Sequence, residues 1–282
     1  MTEASEWRGR VGDIWAKEWQ RTDRSLAPVN DALVAAAAAE AASFDRPRIL
    51  DLGCGAGATS FALADALPNC EIVGIDLSEA LIAAARERAT GRPNLRFEVA
   101  DAAGWAPASA GFDLIVSRHG VMFFDDPVAA FAHLRALAAA DSRLIFSCFR
   151  ERADNQWAAA LLPIFARFAP DALAAPEPPT GPFAFGDRAR IEAILAKAGF
   201  AAPDICAFDF DFVAGAGDDP VADAIAYFRR IGPFARLLRS LDEGAAREAT
   251  AHLAEIVVAH RANGRIVFRA AAWIVTAKAR KS

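Results

Sequence analysis

The residues best suited to chemistry lie in one short segment, Arg48–Ser60, which reads RILDLGCGAGATS. An apolar run leads into Asp51, and Gly53, Gly55 and Gly57 follow before a helical pattern begins. Glycines at that spacing let the backbone approach a ligand closely at the carboxyl end of a first strand, where open α/β sheets hold nucleotides. Two further acids close comparable runs: Asp76 ends EIVGID, and Asp101 ends LRFEVAD. The first can accept both ribose hydroxyls, and the second can receive an exocyclic adenine amino group. Ser78 already offers a helix cap, so Asp76 is not needed as one. Three acids at three successive strand ends, joined to G-x-G-x-G, indicate a nucleoside site rather than a bare glycine-rich turn.

Charge then separates the candidate nucleosides. A dinucleotide places an anionic pyrophosphate at a helix N-terminus and uses G-x-G-x-x-G, a spacing this chain lacks. S-adenosyl-L-methionine has no phosphate and carries cationic sulfonium and ammonium groups, which suit Asp51 beside the glycines. An NAD(P)-dependent oxidoreductase, sharing the sheet and the ribose acid, stays as one alternative. A non-catalytic protein that only binds the nucleoside is another.

The elements that must position these residues alternate regularly. Apolar runs at Arg48–Leu52, Glu71–Ile75, Leu95–Val99, Phe112–Ser117 and Leu144–Phe149 are separated by segments of helical length and period, the βαβ pattern of a parallel sheet covered by helices. Ser78, Asp126-Pro127, Asp187 and Asp219-Pro220 are helix starts, and Gly199 is a helix stop. Two more strands are expected at Ile205–Val213 and Ile266–Ala277, with about fifty mostly helical residues between them, too many for a hairpin loop. Pro170–Gly186 holds five prolines and reads as a loop.

Residues 48–149 resemble the class I S-adenosylmethionine-dependent methyltransferases: ILDLGCGAG is similar to the first motif of that family, GIDLS to its second and VAD to its adenine-side motif. FDLIVSRHGVMFFDDPVAAFAHLRAL further resembles the small-molecule methyltransferases of the ubiquinone/menaquinone type. The resemblance implies an α/β fold, a Rossmann-like seven-stranded and mostly parallel sheet with strand 7 antiparallel and helical lid insertions. It implies the cofactor S-adenosyl-L-methionine, the product S-adenosyl-L-homocysteine and no metal. It places donor contacts at Asp51, Gly53, Cys54, Gly55, Asp76, Leu77, Asp101, Ala102 and Ser117, with Trp19 closing over the methionine end. The implied reaction moves a methyl group to an O, C or N nucleophile of a small organic acceptor.

Two departures stand out. The usually glycine-containing turn before the fifth strand is AAADSRL here, and His119 stands where relatives often carry an apolar aromatic. His119 is either a general base for the acceptor, given its near-neutral unperturbed pKa, or a ring that packs and titrates nothing. Arg118, Arg150, Asn155 and Trp157 are acceptor-side candidates, because ligands gather beyond strand ends in such sheets. Trp15 and Trp19, four apart, are expected on one face of an N-terminal helix, over the cofactor or stapled to the core. Phe183, Phe185, Tyr227, Phe228 and Phe234 could line an apolar lid or simply pack between helices. The expected organisation is an N-terminal helical cap at 1–44, a nucleoside-binding core at 45–149, an acceptor-side insertion at 150–186, a core helix and strand 6 at 187–217, a helical insertion at 218–264 and strand 7 at 265–282.

Composition excludes other classes. The chain has 282 residues, 54% hydrophobic and 24% charged, which fits a folded globular protein. A net charge of −5, with arginines spread along the chain, gives no basic face for nucleic acid. Cys54, Cys70, Cys148 and Cys206 are scattered without C-x-x-C spacing, which reads as reduced thiols. MTEASEWRGRVGDIW lacks the basic and apolar blocks of a secretory signal, and the alanine run at Ala32–Ala42 is too short to span a membrane, so a cytoplasmic location is expected. A monomer and a homodimer are equally compatible with the sequence.

Overall fold

The computed structural model describes residues 4–174 and 177–279. Eight strands form one sheet: β1 (Arg48–Leu52), β2 (Glu71–Asp76), β3 (Leu95–Val99), β4 (Phe112–Arg118), β5 (Ala138–Phe149), β6 (Asp204–Gly215), β7 (Arg261–Ala262) and β8 (Arg265–Lys278). Their order is β3-β2-β1-β4-β5-β8-β6, with β7 paired to β8. The pairs among β1 to β5 are parallel, and β8 runs antiparallel to both β5 and β6. The seven expected strands are present with β8 as the antiparallel member. The additional strand is the two-residue β7, which folds back on β8 through Asn263-Gly264, both with positive φ, in an Asn-Gly hairpin.

Side chains alternate between two apolar layers, as the two-residue strand period requires. Ile49, Leu114, Val116 and Ile145 face the layer built by helices Ala27–Ala41, Ala58–Ala66 and Glu79–Arg88. Leu50, Ile115, Leu144 and Phe146 face the other, where helices Pro127–Leu137 and Arg188–Lys197 contribute Phe131, Leu134 and Ile191. These helices start where the sequence places them. Ser78 accepts from the Leu81 amide, Asp126 from Ala129, Asp187 from Ala189 and Asp219 from Ala222. No helix among the described residues is long and apolar enough to cross a membrane.

Three local expectations are corrected. AAADSRL is strand rather than turn: β5 begins at Ala138, which pairs with Phe112, and a register shift between Phe112 and Leu114 absorbs the irregularity. Main-chain pairing needs no apolar side chain there, so periodicity could not mark it. Trp15 and Trp19 lie on two helices, Arg10–Lys17 and Trp19–Ser25, because the chain breaks at Glu18, whose buried carboxylate is held by Arg21 (2.6 Å) and by Arg230. Pro170–Ala174 forms a short helix started by its proline, and residues 177–186 are turns and irregular chain. Between β6 and β7 lie three helices, Pro220–Arg230, Pro233–Ser240 and Glu243–Ala259.

Candidate active site

A cavity of about 460 Å³ opens at the carboxyl ends of β1, β2 and β4. One wall is the turn after β1. Gly55 has φ 54°, and a side chain built on it would meet nothing within 4 Å, so bare backbone faces the cavity there. Across from it, Gly120 sits where a Cβ would lie 2.8 Å from the Leu52 carbonyl oxygen and 2.9 Å from the Ser117 hydroxyl. The chain leaving β4 can therefore press against the glycine turn only with no side chain at 120.

Gly53, Cys54, Gly55, Asp76, Leu77, Asp101, Ala102 and Trp19 all line the cavity. The Asp76 carboxylate accepts from the amides of Gly55 (3.0 Å) and Ser78 (2.9 Å), which ties the ends of β1 and β2 together, and burial pushes its carboxyl up. Asp101 accepts from Arg8 at 2.9 Å, so the N-terminal segment reaches across the end of β3. The Arg88 guanidinium rests 4.1 Å from the Trp19 ring centroid, and Asp23 lies between Arg88 (3.6 Å) and Arg118 (2.8 Å).

Asp51 and Ser117 lie outside the lining. Both are fully buried beneath the glycine turn: Asp51 accepts from the Ser60 hydroxyl at 2.6 Å, and Ser117 donates to the Leu52 carbonyl at 2.8 Å. Burial raises the Asp51 carboxyl from 3.8 to about 6, against the pull of Ser60 and of the Arg118 charge.

On the opposite side the wall is aromatic. Trp157 lines it, stacked between Phe183 (5.6 Å) and Phe212 (5.5 Å), and Phe212 stacks in turn on Tyr227. Tyr227 and Phe228 also line the cavity, and burial pushes the Tyr227 phenol up. Phe183, Phe185 and Phe234 are buried as packing outside the lining. Arg118 lines the cavity. Arg150 and Asn155 do not. Arg150 pairs with Asp209 (3.0 Å) and Asp154 (3.2 Å), and Asn155 is a strut that accepts from the Ala271 and Trp157 N–H groups while donating to the carbonyls of Arg150 and Glu151.

His119 sits at the junction of the two ends, with φ 63°. Its ring is 94% buried, 4.2 Å from Phe149, with Nδ1 at 2.8 Å from the Ser147 hydroxyl and Nε2 without a partner among the described residues. Burial, helped by the Arg118 charge, lowers its pKa to about 3. Lining residues that the sequence did not single out include Trp7, Asp23, Gly120, Phe149 and Phe212. Of these, Gly120 directly after a strand-end histidine and the alternating FDFDF of β6 carry a recognisable signal, whereas Trp7 and Asp23 sit in helices with no pattern pointing at a site.

Residues 49–141 match the family model described as a methyltransferase domain. This segment is similar to a methyltransferase domain. It contains the glycine turn, Asp76, Asp101 and His119, so the matched segment supplies more than half of the cavity wall. Trans-aconitate 2-methyltransferase of Variovorax paradoxus is 43% identical over 79 residues, 28% of this chain and 29% of that protein. Malonyl-[acyl-carrier protein] O-methyltransferase 1 of Ilyobacter polytropus is 35% identical over 101 residues, 36% of this chain and 37% of that protein. The chain thus spans about a third of the length of these curated relatives. Among solved structures, the Bacillus subtilis YcgJ protein superposes with a TM-score of 0.58 at 17% identity, over 89% of this chain and 100% of its own. The [4+2]-cyclase SpnF does so with a TM-score of 0.51 at 19% identity, over 90% and 81%. Both share the fold.

Proposed function

We propose that the protein binds S-adenosyl-L-methionine and transfers its methyl group to an O, C or N nucleophile of a small organic acceptor, releasing S-adenosyl-L-homocysteine. One observation carries this reading. Buried side-chain polar atoms without a hydrogen-bond partner among the described residues gather at the cavity and its floor: Trp7 Nε1, Asp51 Oδ1 and His119 Nε2. Buried polar atoms are nearly always satisfied, so orphans gathered at one place mark where a ligand belongs.

The residues present fit the donor. Each Asp76 oxygen already accepts one amide, which orients the carboxylate and leaves lone pairs for ribose hydroxyls. Asp101 and Ala102 would take the adenine side, and the Gly53–Gly55 backbone with Asp51 beneath it the amino-acid end. When bound, the donor supplies an electrophilic methyl on a sulfonium. The chain contributes alignment and dryness. Trp7 packs at 5.3 Å on Trp15 and at 5.2 Å on Phe123, shielding the cavity from water, and the segments 150–186 and 218–264 serve as the acceptor-side lid.

Calorimetry with S-adenosyl-L-homocysteine and with NAD tests the reading. Binding of the first and not the second is expected, and the reverse overturns it. A non-catalytic nucleoside-binding role is the second reading, because a shared fold and site do not by themselves fix a reaction. It requires homocysteine-nucleoside binding with no release of that product across phenols, quinone precursors, carboxylates and amines.

A further inference from the structure

We infer that His119 acts as a neutral hydrogen-bond donor, through Nε2, to an anionic oxygen of the acceptor, a carboxylate or a phenolate carried on a flat apolar body, and that Ser147 is the positioning residue that sets its tautomer. This rests on the methyl-transfer reading above.

Ser147 is fully buried in β5, and among the described residues its hydroxyl has one hydrogen-bonding partner, His119 Nδ1 at 2.8 Å. If Nδ1 carried the proton, it would donate to the serine oxygen and leave the serine O–H buried with no acceptor. A stranded buried donor is costly, whereas a serine O–H donating to a bare Nδ1 satisfies both groups. The proton of the neutral ring then resides on Nε2. The backbone reinforces this placement: the His119 amide donates to the Ser147 carbonyl at 3.0 Å, and the left-handed φ of 63° turns the ring off the strand direction into the cavity.

An N–H at that point selects its ligand. It favours an atom with lone pairs and opposes a protonated amine. The adjoining Arg118 guanidinium sharpens the preference to an anion. Arg88 and Arg118 share the single carboxylate of Asp23, while Asp51 on the far side of Arg118 is assigned to the donor. One stretch of the wall, Trp157, Phe212, Phe228 and the Tyr227 ring, is flat and aromatic, and the acids Asp125 and Asp126 line the cavity as well. An acceptor that arrives ionised also removes the need for a base. An oxygen lone pair forms the new bond to the methyl carbon, the carbon–sulfur pair stays on sulfur, and no proton leaves. Desolvation beside a cationic guanidinium makes the imidazolium unfavourable, in accord with a ring that donates rather than collects a proton.

Two measurements test this. In protein carrying ¹⁵N-histidine, without ligand, the His119 resonances should show a neutral ring protonated on Nε2 at neutral pH, and Ser147→Ala should mix the tautomers. A proton on Nδ1, or an imidazolium, overturns the assignment. In calorimetry with saturating S-adenosyl-L-homocysteine, cinnamate or 4-nitrophenolate should bind at least about tenfold more tightly than cinnamamide or phenethylamine. Whichever anion binds fixes the class. His119→Gln, whose side-chain amide can donate from a similar position, should stay within about threefold of wild type, while His119→Phe loses about tenfold or more. Equal loss in both variants, or no preference for either anion, overturns the inference. Homocysteine-nucleoside affinity and its release from S-adenosyl-L-methionine with the preferred anion are measured on the wild type and every variant; failure of the methyl-transfer reading shows as absent binding or absent release in the wild type, whereas a failure at His119 leaves both and loses only the preference for the anion.

Discussion

Asp51→Asn should change stability in a manner that depends on pH with a defined sign. The Asp51 carboxyl titrates near 3.8 when exposed and near 6 in the folded protein, raised by burial and opposed by the Ser60 hydroxyl at 2.6 Å. Between those values the folded state holds a proton that the unfolded state has released, so wild-type stability falls as pH rises through the window. A shift of about two units corresponds to about 3 kcal/mol lost across the whole window, of which about 1.4 kcal/mol falls between pH 5 and pH 8. Asparagine does not titrate. Any fixed cost of placing its amide beside Ser60 is the same at every pH and drops out of the comparison. Urea unfolding of both proteins at pH 5 and pH 8 should show the variant gaining about 1.4 kcal/mol on the wild type over that range. Groups remote from Asp51 contribute equally in both chains and cancel. A stability difference that stays flat with pH, or that runs the other way, would refute the burial of an ionisable Asp51 under the glycine turn. The same variant should bind S-adenosyl-L-homocysteine more weakly, since a site that keeps a buried acid at a cost in stability does so for its ligand.

Gly120→Ala forces a Cβ against the Leu52 carbonyl at 2.8 Å and should cost about 1–3 kcal/mol in thermal or urea unfolding, together with weaker homocysteine-nucleoside binding. Unchanged values for both would show that the close approach to the glycine turn is not needed. Trp157→Ala removes the middle ring of the Phe183–Trp157–Phe212 stack and should cost about 3–5 kcal/mol, while at a temperature where the variant remains folded its homocysteine-nucleoside affinity stays near wild type. Loss of that affinity would place Trp157 at the donor end instead. Asp223→Ala removes one carboxylate shared by Arg21 (2.7 Å) and Arg24 (2.8 Å), which help dock helix Trp19–Ser25 on helix Pro220–Arg230, and should cost about 2 kcal/mol. Limited proteolysis within residues 8–26 should accelerate in that variant and be slowed again by homocysteine nucleoside; cleavage at the wild-type rate would mean that the docking does not depend on this pair.

The sheet was legible because its central strands are buried on both faces and read as apolar runs, and because Ser78, Asp126, Asp187 and Asp219 cap helices by a purely local rule. What escaped was set by partners distant in sequence. Glu18 breaks the N-terminal helix through Arg230, 212 residues away, and no local pattern signals that pairing. AAADSRL pairs with β4 through its main chain, which side-chain periodicity does not report. At the site, the glycine turn and the acids of β2 and β3 were visible because they are fixed to strand ends. Arg150 and Asn155 also follow a strand end, yet Asp209 and Ala271 turn both away from the cavity, and those partners come from β6 and β8. Asp51 illustrates the reverse: its strand-end position was readable, but its burial beneath the turn depends on Ser60 and on the approach of Gly120.

The two ends of the cavity have different origins, and this explains why the relatives inform one and not the other. The matched segment, 49–141, brings Gly55, Asp76, Asp101, Arg118 and His119. Trp157, Phe212, Tyr227 and Phe228, which make the aromatic wall, all lie beyond it, on the segment after β5, on β6 and on the first inserted helix. The similarity to proteins named for trans-aconitate and for malonyl-acyl-carrier protein covers about a third of the chain, and the family match does not reach the aromatic wall. His119 and Arg118 are the exception. They lie inside the matched segment, but their side chains face the junction between the ends, with Ser147 of β5 behind one and Asp23 of the N-terminal helix beside the other. Under the proposed methyl transfer, the sheet, held by strand pairing, would present the groups nearest the reacting atom, and the insertions would shape the space for the acceptor's body. On that proposal, exchanging the inserted helices would change which molecule is accepted while leaving Arg118 and His119 in place.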